Sequence, residues 1–133
     1  MAKILDGIRI IDFTQGHTGS YGTMLLADFG AEVIKIEDPK TGGDVLRRSF
    51  PKNEKGSAYH AYMNRGKKSV CIDRESEKGQ GMIMKLIEKA DVVCDCFVAG
   101  ELERCGLGYD KARELNPGII YASHTGFGKT GPM

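Results

Sequence analysis

A strand, a glycine-bearing turn, a helix and a second strand open this chain, and no other segment restricts its fold as tightly. Residues 8–13 are apolar and β-branched, Gly16, Gly19 and Gly22 follow, and residues 21–29 place Met24, Leu25 and Asp28 one helical turn apart. Gly30 is the expected helix stop, and residues 33–37 form the second strand, closed by Asp38-Pro39. Such a βαβ unit holds nucleotide-like ligands at its helix N-terminus, where unpaired backbone N–H groups can meet phosphate.

The alternation continues along the chain. Residues 69–73, 91–97 and 119–123 are apolar runs of strand length. Between them Ser76 is placed to cap a helix that carries Ile83, Leu86, Ile87 and Ala90 on one face, and shorter helices are expected over 102–105 and 111–115. Strands separated by helices, without tight Asn-Gly hairpins, predict an α/β fold with a Rossmann-like, mostly parallel sheet covered by helices on both faces. The polar stretch from Lys40 to Ser57 holds Gly42-Gly43, Arg47-Arg48 and Pro51, and its length points to a functional or mobile loop.

Composition narrows the function classes. A length of 133 residues fits one domain, 1–133, able to bury a core without disulfide or metal staples. Nineteen basic residues against eighteen acidic ones give a net charge of +1, so neither nucleic acid nor a membrane surface is an expected partner. No apolar run approaches the ~20 residues of a membrane span, and the N-terminus lacks a signal-peptide layout. The four cysteines form no Cys-x-x-Cys pair and are expected to be reduced, mostly buried thiols in a cytoplasmic protein. His17, His60 and His124 are scattered without ligand spacing, and no metal is expected.

Two features point to a phosphate-bearing ligand. Arg65, Lys67 and Lys68 flank Gly66 directly before a strand, a set of cations suited to phosphate oxygens. Arg104 follows another strand, at the edge where open α/β sheets bind ligands. The glycine spacing is GxxGxxG, whereas dinucleotide sites use GxGxxG, although Glu37 stands where such a site holds the ribose. A dinucleotide-dependent oxidoreductase domain therefore stays open as a reading, and so does a non-catalytic interaction module on this fold.

The segments Leu5-Asp6-Gly7-Ile8, Met24 through Glu37, Asn64-Arg65-Gly66-Lys67-Lys68-Ser69-Val70, Leu102 through Tyr109 and Gly126 through Pro132 occur in consecutive order. Together they resemble the class III (CaiB/BaiF-type) CoA-transferases, a family that includes formyl-CoA transferase, carnitine CoA-transferase and α-methylacyl-CoA racemase. The resemblance implies a CoA-binding Rossmann-like domain, with coenzyme A or acyl-CoA as substrate and a carboxylic acid as acceptor. It implies cofactor contacts at His17, Thr18, Asp38, Arg65, Gly66, Lys67, Lys68, Cys96, Phe97, Val98 and Arg104, with the first glycine loop near the pantetheine and thiol end. In the family's transferases an aspartate attacks the thioester, and an aspartyl-CoA intermediate carries the group onward.

The chain departs from the family pattern at several positions. It has His17-Thr18 where a glutamine or another small polar residue is common, Ser20 where proline is usual, and Asp38 where a basic residue is usual. Asp38 is expected to repel phosphate unless Lys40 compensates. The family's nucleophilic aspartate is expected beyond Met133, together with a smaller second domain and a returning C-terminal segment. The chain on its own is therefore expected to be inactive, with apolar surface that favours a homodimer or self-association.

Overall fold

The computed structural model describes residues 3–131. Strand β1 (Arg9–Asp12) leads into helix α1 (Thr18–Asp28) and strand β2 (Glu32–Glu37). Two 3-10 turns, Pro39–Thr41 and Val45–Arg48, precede a short hairpin of β3 (Lys52–Asn53) and β4 (Gly56–Ser57), then helix α2 (Ala58–Met63) and β5 (Lys68–Cys71). Helix α3 (Glu77–Ile87), β6 (Val92–Asp95), α4 (Glu101–Arg104), α5 (Tyr109–Leu115) and β7 (Ile120–Ser123) complete the order.

The main sheet has five strands in the order β5-β2-β1-β6-β7, and every pairing in it is parallel. Side chains alternate across it, which explains the two cores. Ile11, Phe13, Ile36 and Val93 face α3 and α5, where Ile83, Ile87 and Ala112 are buried. Ile10, Val33 and Cys94 face the other way, onto Ala27 of α1 and Ala31. The α/β expectation with helices on both faces is met.

Local signals explain the element ends. Ser76 Oγ accepts from Gly79 N at 3.1 Å and starts α3 where the sequence placed its cap. At the end of α1 the amides of Gly30 and Ala31 return to the carbonyls of Ala27 and Leu26, each at 3.0 Å. That reciprocal pair is a Schellman closure, and Gly30 supplies its positive φ of 111°. Helix α1 begins three residues earlier than expected, and its buried face is Ser20, Thr23, Met24 and Ala27, whereas Asp28 is exposed.

The 40–57 stretch, expected to be functional or mobile, is an ordered connection, pinned by Asp44 at 0% and Leu46 at 1% exposure. Helix α2 was not anticipated; Ser57 Oγ caps it by accepting from His60 N at 3.3 Å. Of the four free thiols only Cys94 is buried, while Cys71 is exposed. Among the described residues no helix is long and apolar enough to cross a membrane.

Candidate functional site

The carboxyl ends of the strands form the edge at which an open parallel sheet presents its ligand site. Here that edge carries Thr14 to His17 after β1, Asp38 after β2, Arg74 after β5, and Cys96 to Val98 after β6. Two open clefts lie along it. One, of about 450 Å³, is walled by Cys96, Phe97, Val98 and the segment from Thr125 to Gly131. The other, of about 390 Å³, is lined by Arg74, Glu75, Gln80, Glu101, Arg104 and Cys105. The Arg74 guanidinium stacks 4.4 Å above the Phe97 ring and divides the two.

Arg74 is the basic residue that sequence reasoning missed. It stands between two acids, Asp73 and Glu75, in sequence. The available signal was its place just past a strand's carboxyl end, the same signal that singled out Arg104. Arg74 Nη2 donates to Glu101 Oε1 at 2.6 Å, and Nη1 stands 3.7 Å from Asp38 Oδ2. Asp38 is therefore balanced by Arg74. Lys40, the expected partner, pairs instead with Asp73 at 3.2 Å and Glu75 at 2.8 Å. Arg104 is exposed and, among the described residues, forms no ion pair.

The first glycine loop reaches the same edge. Gln15 N donates to Cys96 Sγ at 3.0 Å, which ties the loop to the rim of the larger cleft. A Cβ at Gly19 would stand 2.7 Å from Thr14 Cβ and 3.3 Å from Cys96 Cβ, so only glycine lets α1 start this close to β1 and β6. His17 is exposed at the N-cap of α1 and meets the Tyr59 ring edge-on at 5.1 Å. Thr18 opens onto an apolar recess between α1 and β7, beside Tyr21 and Ala122. Burial pushes the Cys94 thiol up to about 12 and the Cys96 thiol upward as well, so neither is a thiolate at neutral pH.

The second cation cluster, Arg65, Lys67 and Lys68, does not join this group. Lys68 begins β5 at the opposite, amino edge of the sheet and pairs with Glu32 at 2.5 Å. Arg65 pairs with Asp28 at the end of α1 at 2.6 Å, and Gly66 forms the turn between them with φ 76°. Lys67 points inward with its side chain 1% exposed. Its ammonium is shared among Asp12 Oδ2, Thr23 Oγ1, Ser20 O and Asn64 Oδ1 at 2.8–3.1 Å, a set of partners that holds the fold. His17, Thr18, Asp38, Cys96, Phe97, Val98 and Arg104 remain at the carboxyl edge.

Glu37 is also committed. Its carboxylate takes a bidentate pair from Arg47 at 2.6 and 2.7 Å, the Ser69 hydroxyl at 2.6 Å and the Asp44 amide at 2.9 Å. Burial pushes its pKa up, but Arg47, Ser69 and the Asp44 amide outweigh that and bring it down to about 2. No acceptor is left for a ribose, which removes the main support for a dinucleotide site.

The model of CoA-transferase family III matches residues 5–133, essentially the whole chain. The chain belongs to that family. It is 39% identical over 128 residues to the acetyl-CoA:oxalate CoA-transferase of Acetobacter aceti, covering 96% of this chain and 33% of that protein. It is 44% identical over 131 residues to the formyl-CoA:oxalate CoA-transferase of Rhodopseudomonas palustris, covering 96% and 30%. The crystal structure of a CaiB/BaiF family protein from Brucella suis superposes with a TM-score of 0.92 at 37% identity, over 99% of this chain and 36% of that one. The chain thus spans about a third of the length of the family members it matches.

Among the aspartates near the carboxyl edge, Asp95 accepts from Ser123 Oγ at 2.6 Å and from Phe97 N at 3.1 Å. Asp12 is held by Lys67 and Asp44 by Lys35, at 3.0 and 2.8 Å. These carboxylates are engaged in holding strands and loops.

Proposed function

We propose that this chain is the CoA-binding portion of an acyl-CoA:carboxylate CoA-transferase, with residues 1–133 forming its nucleotide-side domain. The observation that carries the reading is Arg104, which forms no ion pair among the described residues and shares a cleft at the carboxyl edge of the sheet with Arg74, itself paired with Glu101. Arginine suits the phosphates of CoA because its planar donors can serve two oxygens at once. From there the pantetheine arm would pass Phe97 and Val98 toward Cys96 and the first glycine loop, where His17 and Thr18 stand. The engaged aspartates support a thioester-attacking carboxylate outside this chain, so that the chain alone binds without turnover.

A cytoplasmic location and self-association belong to the same reading. The support for self-association is apolar surface beside α1, where Ile120 is 62% and Tyr21 is 45% exposed. Calorimetric titration of the purified chain with CoA, with NAD in parallel, tests the proposal. Saturable CoA binding without NAD binding is the expected outcome. Binding of NAD alone, or of neither ligand, would overturn it, as would turnover of an acyl-CoA and a carboxylate by this chain.

A further inference from the structure

Two buried lysines and two buried aspartates lie beneath the first glycine loop. Lys35, in the middle of β2, has a side chain 2% exposed, and its ammonium is 2.8 Å from Asp44 Oδ2, whose side chain is 0% exposed. Its strand neighbours Ile34 and Ile36 are apolar, so the sequence pattern gives no reason for a lysine here. An ion pair this deep carries a desolvation penalty that well-packed apolar residues would avoid, so its presence calls for a role beyond stability.

The partners of the pair suggest what that role is. Lys35 Nζ donates to the Thr14 carbonyl at 2.5 Å. Asp44 Oδ1 accepts from the Gly16 amide at 3.2 Å and from the Leu46 amide at 2.9 Å. The peptide groups on either side of Gln15 are therefore gripped from below, one by the cation and one by the anion. Asp12 adds a second hold by accepting from Thr14 N at 2.9 Å and Thr14 Oγ1 at 2.6 Å. Gln15 itself is left to meet Cys96 at the rim of the larger cleft. Asp44 comes from the connection after β2, so the βαβ unit alone does not supply the whole grip on the loop.

We infer that Lys35 and Asp44 are positioning residues: a buried ion-pair clamp that fixes the Thr14–Gly16 backbone in the shape that receives the pantetheine arm of CoA. This rests on the CoA reading above and adds a division of labour to it. The arginines hold the nucleotide end of the ligand, and the clamp shapes the loop for the other end. A rigid loop of this kind raises affinity by removing the ordering that binding would otherwise require.

Two measurements on the 133-residue chain separate the clamp from the reading it rests on. The first is amide hydrogen exchange in Asp44→Asn and in the double variant Lys35→Met/Asp44→Asn. The double variant leaves no unpaired buried charge and keeps a folded comparison if the single one unfolds. The Gly16 amide and its neighbours are expected to exchange about tenfold faster, with Ile83 and Val93 unchanged. The second is titration with CoA and with ADP, which has the adenine and diphosphate of CoA but no pantetheine. CoA affinity is expected to fall about tenfold, and ADP affinity to stay within about twofold.

Unchanged loop exchange in a folded variant overturns the clamp. Equal losses for CoA and ADP overturn its positioning role, because a merely structural change would weaken both. A wild-type chain that binds neither ligand overturns the CoA reading, while the exchange rates still decide the clamp.

Discussion

The two edges of the sheet carry the same kinds of basic residue, but only the carboxyl edge leaves one of them, Arg104, without an acidic partner among the described residues. At the amino edge Arg65 and Lys68 are each paired with an acid, Asp28 at 2.6 Å and Glu32 at 2.5 Å. At the carboxyl edge Arg74 is also paired, with Glu101 at 2.6 Å, and stacks on the Phe97 ring, but Arg104 beside it forms no ion pair among the described residues. The difference follows from strand register. Because β2 pairs with β5 in parallel, the start of β2 and the end of α1 deliver their acids to the turn that precedes β5. A run of cations in sequence therefore says little about whether those cations are free to bind anything.

The sharpest way to break this comparison is to remove the charge from adjacent lysines. Lys67→Met leaves Asp12 buried without its counter-ion and is expected to destabilise the chain by about 3–5 kcal/mol. Lys68→Met removes only a surface pair and is expected to change stability by less than about 1 kcal/mol. Urea denaturation of both variants reads the contrast, and equal losses would show that Lys67 is not the internal tie described above.

Acid sharpens it next, through the two glutamates at the ends of β2. Glu37 has a folded pKa of about 2 against 4.5 for the ordinary carboxyl. Its contribution is thus fully present above about pH 4.5 and is lost as pH falls toward 2, a loss of about 2–3 kcal/mol. Glu37→Gln is expected to flatten that acid limb in stability measured between pH 6 and 2. The Lys68 and Arg9 hydrogen bonds lower the Glu32 pKa as well, but solvent screens that pair, so Glu32→Gln should leave the limb nearly intact. Identical profiles for the two variants would contradict the buried role of Glu37.

The smallest effect concerns the ligand. Arg104→Ala is expected to weaken CoA binding about tenfold, the scale of one charge-assisted contact, while Arg65→Ala should change it by less than about twofold. Calorimetry on both variants decides between the edges. A larger loss at Arg65 would move the phosphate site to the amino edge.

The strands and α3 could be read from the sequence because their signals are local: β-branched runs, one apolar helix face and a serine cap. Helix α2 could not, since its six residues, Ala58 to Met63, bury no side chain and show no apolar periodicity. The ordered character of 40–57 was hidden because Asp44 has its partner on β2, at Lys35, and nothing nearby marks it as buried. Arg104 was recognised at its strand end, whereas Arg74, which stands between two acids, was not. Lys67 and Lys68 are indistinguishable in sequence, and only the turn at Gly66 sends one inward and the other to solvent.

Strand β1 lies at the centre of the sheet although it is the first strand made, and that has a consequence for synthesis. One of its sides is closed by β2 within a short stretch of chain, but the other waits for β6: Arg9 and Asp91, which bond at 2.8 Å where the two strands begin, are 82 residues apart. At about 5–20 residues per second a ribosome takes roughly 4–16 s to cover that distance. Throughout that interval Ile10 and Ile11 are translated but half-paired, with an open backbone edge. The nascent chain is therefore most exposed to misassociation while its eventual centre is already made.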